Sequence, residues 1–194
     1  NYKVFEAGAK KLGYKQVHTG NMAINSQPRG GRPGCQQVGF CFQGCKFGAK
    51  WSSAYVDIPE GEATGNLEVR THAHVLKIEH DKTGKVTGVL YADKDGNQHL
   101  QKARVVAVAG NSIESPRLLL NSASTMFPDG LANSSGQVGR NYMRHMTASV
   151  YASFPEPVRF WRGTTMAGII QDEARHDPSR GFVGGYELET LALG

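Results

Sequence analysis

Three cysteines are the residues of this sequence best suited to specialised chemistry. Cys35, Cys41 and Cys45 are the only cysteines in 194 residues, and their spacing is C-x5-C-x3-C. This spacing fits neither a zinc knuckle, whose paired cysteines stand closer together, nor the cysteine run of a plant-type ferredoxin. Three thiolates could nonetheless hold a cluster with three iron corners, with one thiolate on each iron. The alternatives are a structural loop with one disulfide and one free thiol, and a zinc site.

The segment that carries these cysteines is rich in glycine and in positive charge. Residues 20–48 include seven glycines and two prolines, a composition that resists regular structure and suits a loop wrapped around a bound group. Residues 1–50 contain eight Lys and Arg but only one acid. Because a cluster bound by three thiolates is anionic, the neighbouring Arg29, Arg32, Lys46 and Lys50 would stabilise its reduced state and raise its potential.

The other polar residues with chemical potential are interpreted as structural. His72, His74, His80 and His99 fall on or beside predicted strands, where they are typical of solvated positions. The basic residues lack the alternating aromatic residues of a nucleic-acid groove, apart from one short cluster at residues 159–162. The sequence therefore predicts no nucleic-acid partner.

A strand, a tight turn and a helix are predicted to follow one another from residue 105 onward. Residues 105–109 form an apolar run without alternation, the pattern of a strand buried on both faces of a parallel sheet. Ser115 followed by Pro116 is typical of an N-cap and the first position of a helix. This order could turn backbone N–H groups toward a phosphate or a ring edge. The alternative is a plain α/β crossover without a ligand.

The rest of the chain predicts a mixed α/β protein. Hydrophobic residues make up 39% and charged residues 20% of the sequence, which is typical of a globular domain. No apolar run approaches the length of a membrane-spanning helix. The patterns predict an antiparallel part at residues 150–194, a short helix ended by Gly13, a strand at residues 14–18, and a β-meander with strands at residues 73–79, 86–92 and 99–102.

Four segments of the chain, in consistent order, resemble the glucose-methanol-choline (GMC) family of flavoprotein oxidoreductases. In chain order they are residues 35–50, the β-meander, residues 105–122, and residues 136–145 with the sequence GQVGRNYMRH. Within the family, the sequence is most similar to bacterial flavoprotein dehydrogenase subunits such as gluconate 2-dehydrogenase and the FAD-dependent glucose and sorbitol dehydrogenases. It departs from the family pattern where glycine is common, at Asn111 and Ala123, and where an acid commonly precedes the histidine, at Arg144.

The resemblance implies a fold and a division into domains. Residues 1–145 are expected to be the central part of an FAD-binding, Rossmann-like domain, with the cysteine-rich loop at residues 28–50. Residues 146–194 are expected to begin an antiparallel-sheet substrate domain. The family's Gly-rich dinucleotide fingerprint and its catalytic histidine are expected outside these 194 residues, and no G-x-G-x-x-G occurs within them. The resemblance therefore places no catalytic residue in this chain, which is expected to be inactive alone.

The resemblance also implies residues that bind cofactors. The backbone of Val75 is expected to meet the adenine of FAD, and Gly110 and Asn111 are expected to lie near the same cofactor. Asn141, in the fourth segment, is a further candidate. The branch of the family that this sequence resembles includes flavoproteins with a [3Fe-4S] cluster at the same cysteine spacing. The three cysteines are accordingly the expected ligands of such a cluster.

A reaction and its partners follow from the same resemblance. The whole protein is expected to oxidise a sugar, polyol or sugar acid by hydride transfer to FAD, with electrons passing through the cluster to a cytochrome c subunit. A small subunit and a location at the periplasmic face of a bacterial inner membrane are also implied. The alternatives are a GMC oxidase without a cluster, which delivers electrons to oxygen, and a non-catalytic module with the FAD-binding fold.

Overall fold

The computed structural model describes residues 2–191 and separates the chain into two compact units. The first unit combines the chain up to Leu67 with the chain from Tyr151 onward, and the second unit is Glu68–Val150. The domain boundary expected between residues 145 and 146 stays a prediction. None of the described helices is long and apolar enough to cross a membrane. The last three residues of the predicted antiparallel part lie outside the described residues.

The regular elements of the described chain are short helices and antiparallel strands joined by long irregular segments, which confirms the mixed α/β class. In chain order the elements are α1 (Tyr2–Lys11), β1 (Val17–His18), α2 (Asp57–Ala63), β2 (His74–His80), β3 (Val86–Ala92), β4 (Gln98–Lys102), α3 (Asn111–Asn121), β5 (Ile169–Ile170) and β6 (Leu188–Glu189). The strands form two antiparallel sheets of three strands each, with the orders β1-β5-β6 and β2-β3-β4.

The predicted meander is the sheet of the second unit. β3 pairs with β2 on one side and with β4 on the other, and its bounds are those predicted from the sequence. The first turn is fixed by Asp81, whose Oδ1 accepts hydrogen bonds from the backbone N–H groups of Thr83 and Lys85 at 2.8 and 3.1 Å. Asp93 does the same in the second turn for Asp95 and Asn97. Local turn chemistry thus sets the register of this sheet.

A buried hydroxyl joins α3 to the sheet. Ser122, which follows α3, is fully buried, and its Oγ donates to the carbonyl of Leu118 at 2.6 Å. The same Oγ accepts a hydrogen bond of 2.9 Å from the backbone N–H of Ile78 on β2. Ile78 is itself buried, so the helix covers the middle of β2 and satisfies its backbone there.

The first unit has a small core around its short sheet. Ile169 and Ile170 of β5 are buried between β1 and β6. Thr190 is also buried, and its Oγ1 accepts hydrogen bonds from the backbone N–H groups of Ala167 and Gly168 at 3.0 and 2.9 Å. The antiparallel pairing of this region is as predicted, although two of its strands come from the C-terminal part and one from the N-terminal part of the chain.

Two predictions about the strand, turn and helix are wrong. Residues 105–109 do not form a strand: within the described chain no neighbouring strand pairs with them, and Val105 is 82% exposed. A parallel strand requires a partner for its backbone groups, and the apolar pattern alone does not supply one. α3 begins at Asn111 rather than after Ser115, so Pro116 lies inside the helix.

Candidate functional site

The cysteine loop, residues 28–50, encloses a cavity on which all three sulfur-bearing residues lie. Cys35, Cys41 and Cys45 line this cavity of about 380 Å³, and each is a half-buried free thiol. Cys41 begins a single 3-10 turn, Cys41–Gln43, which follows Phe40 in the left-handed region at φ 59°. The three cysteines therefore share one cavity, and their role as ligands of a cluster stays a prediction. All three are free thiols in the described chain.

Backbone N–H groups point at two of the three sulfurs. The N–H of Gln37 donates to Cys35 Sγ and the N–H of Lys50 donates to Cys45 Sγ, each at 3.4 Å. Burial raises the pKa of the Cys45 thiol, but the backbone N–H groups of residues 47–50 outweigh it and lower this pKa below its ordinary value. The loop thus stabilises negative charge on Cys45, which is the form that binds a metal.

Two of the predicted cations hold the loop together from within. The guanidinium of Arg32 donates to the carbonyl of Gly48 at 3.0 Å, and the ammonium of Lys50 donates to the carbonyl of Cys41 at 2.6 Å. Both side chains are half-buried, whereas Arg29 and Lys46 are exposed. Sequence reasoning identified these four residues as neighbouring charge, but it did not predict that Arg32 and Lys50 bind backbone carbonyls of the loop.

Bonds to distant segments fix the loop in place. The N–H of Cys35 donates to the carbonyl of Asn25 at 2.7 Å, and the N–H of Asn25 donates to the carbonyl of Ala49 at 2.9 Å. Gly39, at φ +73°, lies directly against the backbone of Trp161, so that a Cβ at this position would overlap the Trp161 carbonyl oxygen. The positions of the cysteines therefore depend on residues far away in the sequence.

The donors that the loop offers are three thiols, and they do not converge on one point. Within residues 2–191, no three side chains of His, Cys, Asp or Glu surround one point where a metal ion could bind. A zinc ion needs such convergence, since its ligands meet at a single atom. In a cluster with three iron corners each thiolate would bind a different iron. The three free thiols on one cavity, with N–H groups aimed at two of them, supply the donor chemistry that such a group would use.

A second candidate site lies in the unit of residues 68–150. Val75 on β2 and Gly110 before α3, two of the predicted FAD-binding residues, line one cavity of about 550 Å³. A cavity of this size is within the usual range for a small-molecule site. Its wall is mostly apolar, with contributions from residues 106–109, and Glu114 and Arg117 supply polar groups. A mostly apolar cavity with polar groups at this position is compatible with the adenine contact that the resemblance implies, which stays a prediction.

The start of α3 is already capped by side chains. Asn111 has φ +77°, and its Oδ1 accepts hydrogen bonds from the N–H groups of Ile113 and Glu114 at 2.8 and 3.0 Å. The N–H of Gly110 donates to Ser115 Oγ at 2.9 Å. The N–H groups of Gly110, Ile113 and Glu114 are therefore already engaged by side chains of the same segment.

Asn141 lines a different cavity on another side of α3. This cavity measures about 740 Å³ and is also lined by Tyr142 and Met143. The Asn141 side chain donates to Gln137 Oε1 at 2.8 Å, and its backbone has φ +57°. Arg117 and Asn121 of α3 line both this cavity and the cavity of Val75. Sequence reasoning missed these two residues. The available signal was their spacing of four residues, which places them on one face of a helix.

A family model places the chain among known proteins. A model described as GMC oxidoreductase matches residues 1–147, which is most of the chain. The chain belongs to the GMC oxidoreductase family, and the resemblance stated from the sequence is confirmed. Membership implies FAD as the cofactor and identifies the chain as part of the FAD-binding region of such a protein.

Curated relatives agree with this assignment. The chain is 38% identical to the 2-methyl-1,2-propanediol dehydrogenase of Mycolicibacterium austroafricanum, over 87% of this chain and 31% of the relative. It is 38% identical to the 6'''-hydroxyparomomycin C oxidase of Streptomyces lividus, over 71% of this chain and 26% of the relative. It is 34% identical to the fructose dehydrogenase large subunit of Gluconobacter japonicus, over 83% of this chain and 29% of the relative.

The branch predicted from the sequence is also among the relatives. The chain is 28% identical to the gluconate 2-dehydrogenase flavoprotein of Pantoea cypripedii, over 78% of this chain and 26% of the relative. In all four comparisons the chain spans less than a third of the length of the relative that it matches.

Proposed function

We propose that this chain is part of an FAD-dependent dehydrogenase that oxidises a CH–OH group of a sugar, polyol or sugar acid. In this proposal Cys35, Cys41 and Cys45 hold a [3Fe-4S] cluster that passes the electrons to a cytochrome c subunit. Family membership and the similarity to the fructose dehydrogenase large subunit support the reaction class. The observation that carries the electron-transfer part is the presence of three free thiols on one cavity.

The residues of the second unit would bind the flavin cofactor. When bound, FAD would supply the acceptor for a hydride from the substrate carbon, and a base would take the hydroxyl proton to leave a carbonyl group. The backbone of Val75 and the turn at Gly110 are the proposed contacts for the adenine ring, on the mostly apolar cavity described above. Asn111 would act through the shape of this turn, because its side chain is engaged in capping α3. Asn141 is proposed as a further contact.

The residues of the cysteine loop would hold the cluster and tune its charge. The N–H groups of Gln37 and Lys50 would remain on the sulfurs of Cys35 and Cys45, where they favour the electron-rich state of the bound group. The catalytic base is proposed to lie in a part of the whole protein other than this chain. A small subunit and a periplasmic location, both implied by the resemblance stated from the sequence, complete the proposal.

A second candidate is a GMC oxidase without a cluster. The similarity to the 6'''-hydroxyparomomycin C oxidase favours it, because that relative is an oxidase by name. In that case the three cysteines would be structural thiols and oxygen would take the electrons from the flavin. A non-catalytic module with the FAD-binding fold is a third possibility, in which neither a substrate nor an electron acceptor is used.

The decisive experiment measures iron and acid-labile sulfide in the full-length protein, together with its flavin content. We expect iron and sulfide in proportion to flavin, and an electron paramagnetic resonance signal in the oxidised protein. A protein with flavin but with no iron and no signal would eliminate the cluster and favour the oxidase. If no sugar, polyol or sugar acid reduced the flavin, this result would instead favour the non-catalytic module.

A further inference from the structure

Lys50 contacts two of the three cysteines at once. Its backbone N–H donates to Cys45 Sγ at 3.4 Å, and its ammonium group donates to the carbonyl of Cys41 at 2.6 Å. Its side chain also lines the cavity on which the three thiols lie. One residue therefore fixes the backbone of one cysteine and the sulfur of another.

The bond from the ammonium group is short and charge-assisted, and such bonds are stronger than neutral hydrogen bonds. It holds the carbonyl of Cys41 at the start of the 3-10 turn, where the preceding Phe40 is in the left-handed region at φ 59°. A non-glycine residue there costs free energy, so the turn requires outside support. Lys50 supplies part of that support, because its ammonium group holds the backbone carbonyl of Cys41.

The other cations near the cavity differ from Lys50. Lys46 also lines the cavity, but it is exposed, and in the described part of the chain its ammonium group donates to no cysteine carbonyl. Arg32 binds the carbonyl of Gly48, a residue that does not carry a thiol. Charge that is half-buried is screened less by water and salt than exposed charge. Of these cations, Lys50 is thus the one that combines contact with the cysteines and weak screening.

We infer that Lys50 is a positioning residue for the proposed cluster, which keeps Cys41 and Cys45 in the relative position that two irons require and places a positive charge beside them. This inference rests on the proposed function, because it presupposes a cluster on the three thiols. When the cluster gains an electron, its negative charge increases, and a nearby cation stabilises that state. Lys50 therefore raises the midpoint potential of the cluster as well as its retention.

The test uses the full-length protein with three substitutions. Lys50→Met removes both the charge and the hydrogen bond, Lys50→Gln keeps a donor without the charge, and Lys46→Met removes a neighbouring exposed charge as a matched control. Iron and sulfide per flavin report retention of the cluster, and a redox titration of the paramagnetic signal reports its midpoint potential. The flavin spectrum shows that each variant is folded.

We expect Lys50→Met to lower both the iron content per flavin and the midpoint potential. Lys50→Gln should retain most of the iron and still show the lower potential. Lys46→Met should shift the potential by less than either Lys50 variant. A Lys50→Met protein with the iron content and potential of Lys46→Met would overturn the inference while leaving the proposed function intact. A wild-type protein with flavin and no iron would overturn the proposed function first, and this inference with it.

Discussion

The cysteine loop and the β-meander hold their backbones in different ways. In the meander, β2, β3 and β4 exchange hydrogen bonds between backbone groups along two antiparallel ladders. In the cysteine loop, many of the contacts run from side chains to carbonyls or from N–H groups to sulfur, as with Arg32 and Lys50. The loop also carries several residues with positive φ, including Gln37, Gly39 and Phe40.

The meander is held mainly by its backbone ladders, whereas the cysteine loop is held mainly by particular side chains and glycines. A ladder is made by the backbone, so many side chains can be exchanged on its exposed face with small effects. A loop held by individual side chains and by glycine conformations loses its geometry when one of them changes. We therefore expect single substitutions to have larger effects on function in the loop than in the meander.

The largest expected effect is the loss of the cluster from the full-length protein. Replacement of Cys35, Cys41 or Cys45 by Ser should each abolish the iron signal, because each thiolate is proposed to hold one iron. Reduction of the flavin by substrate should survive, and a small artificial acceptor should still be reduced. Iron analysis and electron paramagnetic resonance of the three variants check this expectation.

The same three variants test the alternative in which the cysteines are structural. Since all three are free thiols, that alternative predicts similar melting temperatures for the variants and the wild type. Retention of the full iron content by any one variant would show that its cysteine is not a ligand. If the isolated protein instead contained a disulfide, the two variants that break it would each be less stable than the wild type by about 2–5 kcal/mol.

A smaller effect is expected for Gly39→Ala, which tests the approach of the loop to residue 161. At φ +73° an alanine costs about 1–2 kcal/mol, and overlap with the Trp161 carbonyl adds about 1–3 kcal/mol. Gly30→Ala is the matched control, since Gly30 also has positive φ in the same loop but has open space around it. Thermal melts should show a clearly larger loss for Gly39→Ala. Equal losses for the two variants would mean that the close approach to Trp161 does not exist.

In the meander unit, Ser122→Ala should destabilise by about 1–3 kcal/mol. The substitution leaves the buried N–H of Ile78 without its acceptor, which is the costly case for a hydrogen bond. Ser135→Ala, at an exposed position in the same unit, should change stability very little. Chemical denaturation of both variants measures the difference. A Ser122→Ala protein as stable as the control would contradict the role of this hydroxyl in joining α3 to β2.

The smallest effect concerns pH and the second turn of the meander. The pKa of Asp93 is lowered to about 2, first by the hydrogen bond from His99 and further by bonds from Asn97 and Asp95, although burial opposes the shift. Because the folded pKa is below the ordinary 3.8, its stabilisation is complete above pH 3.8 and is lost as the pH falls through about 2. Asp93→Asn should remove this dependence. NMR titration of the Asp93 carboxyl in the wild type and acid unfolding of both proteins check it, and an Asp93 that titrates near 3.8 would contradict it.

The parts of the fold that local chemistry determines were predictable. β3 has the predicted bounds and β2 lies one residue later than predicted, because alternation and Asp-containing turns act over a few neighbouring residues. The start of α3 was not predictable by the same rules. Ser115 and Pro116 form a good start signal, but the helix begins at Asn111, five residues before Pro116, where the side chain of Asn111 accepts a backbone N–H bond.

The cysteines of the candidate site were predictable from the sequence, but the contacts that support them were not, and their role as ligands stays a prediction. Three cysteines in a Gly-rich segment indicated one cavity, and the structure places all three on it. The close approach of Gly39 to Trp161 joins residues more than a hundred positions apart, so that no local pattern reveals it. The bond from Lys50 to the carbonyl of Cys41 likewise depends on a backbone conformation that residue types alone do not specify.

The unpaired apolar segment at residues 105–109 has a consequence for handling this chain in solution. Its sequence, VVAVA, has high β-propensity and no charge, and Val105 is largely exposed. An extended apolar segment with open backbone groups can pair with the same segment of another molecule, which is the first step of aggregation. Arg104 is the one charged residue directly beside it, in the position of a gatekeeper. The 194-residue chain on its own is therefore expected to self-associate as its concentration rises, and removal of Arg104 should accelerate this.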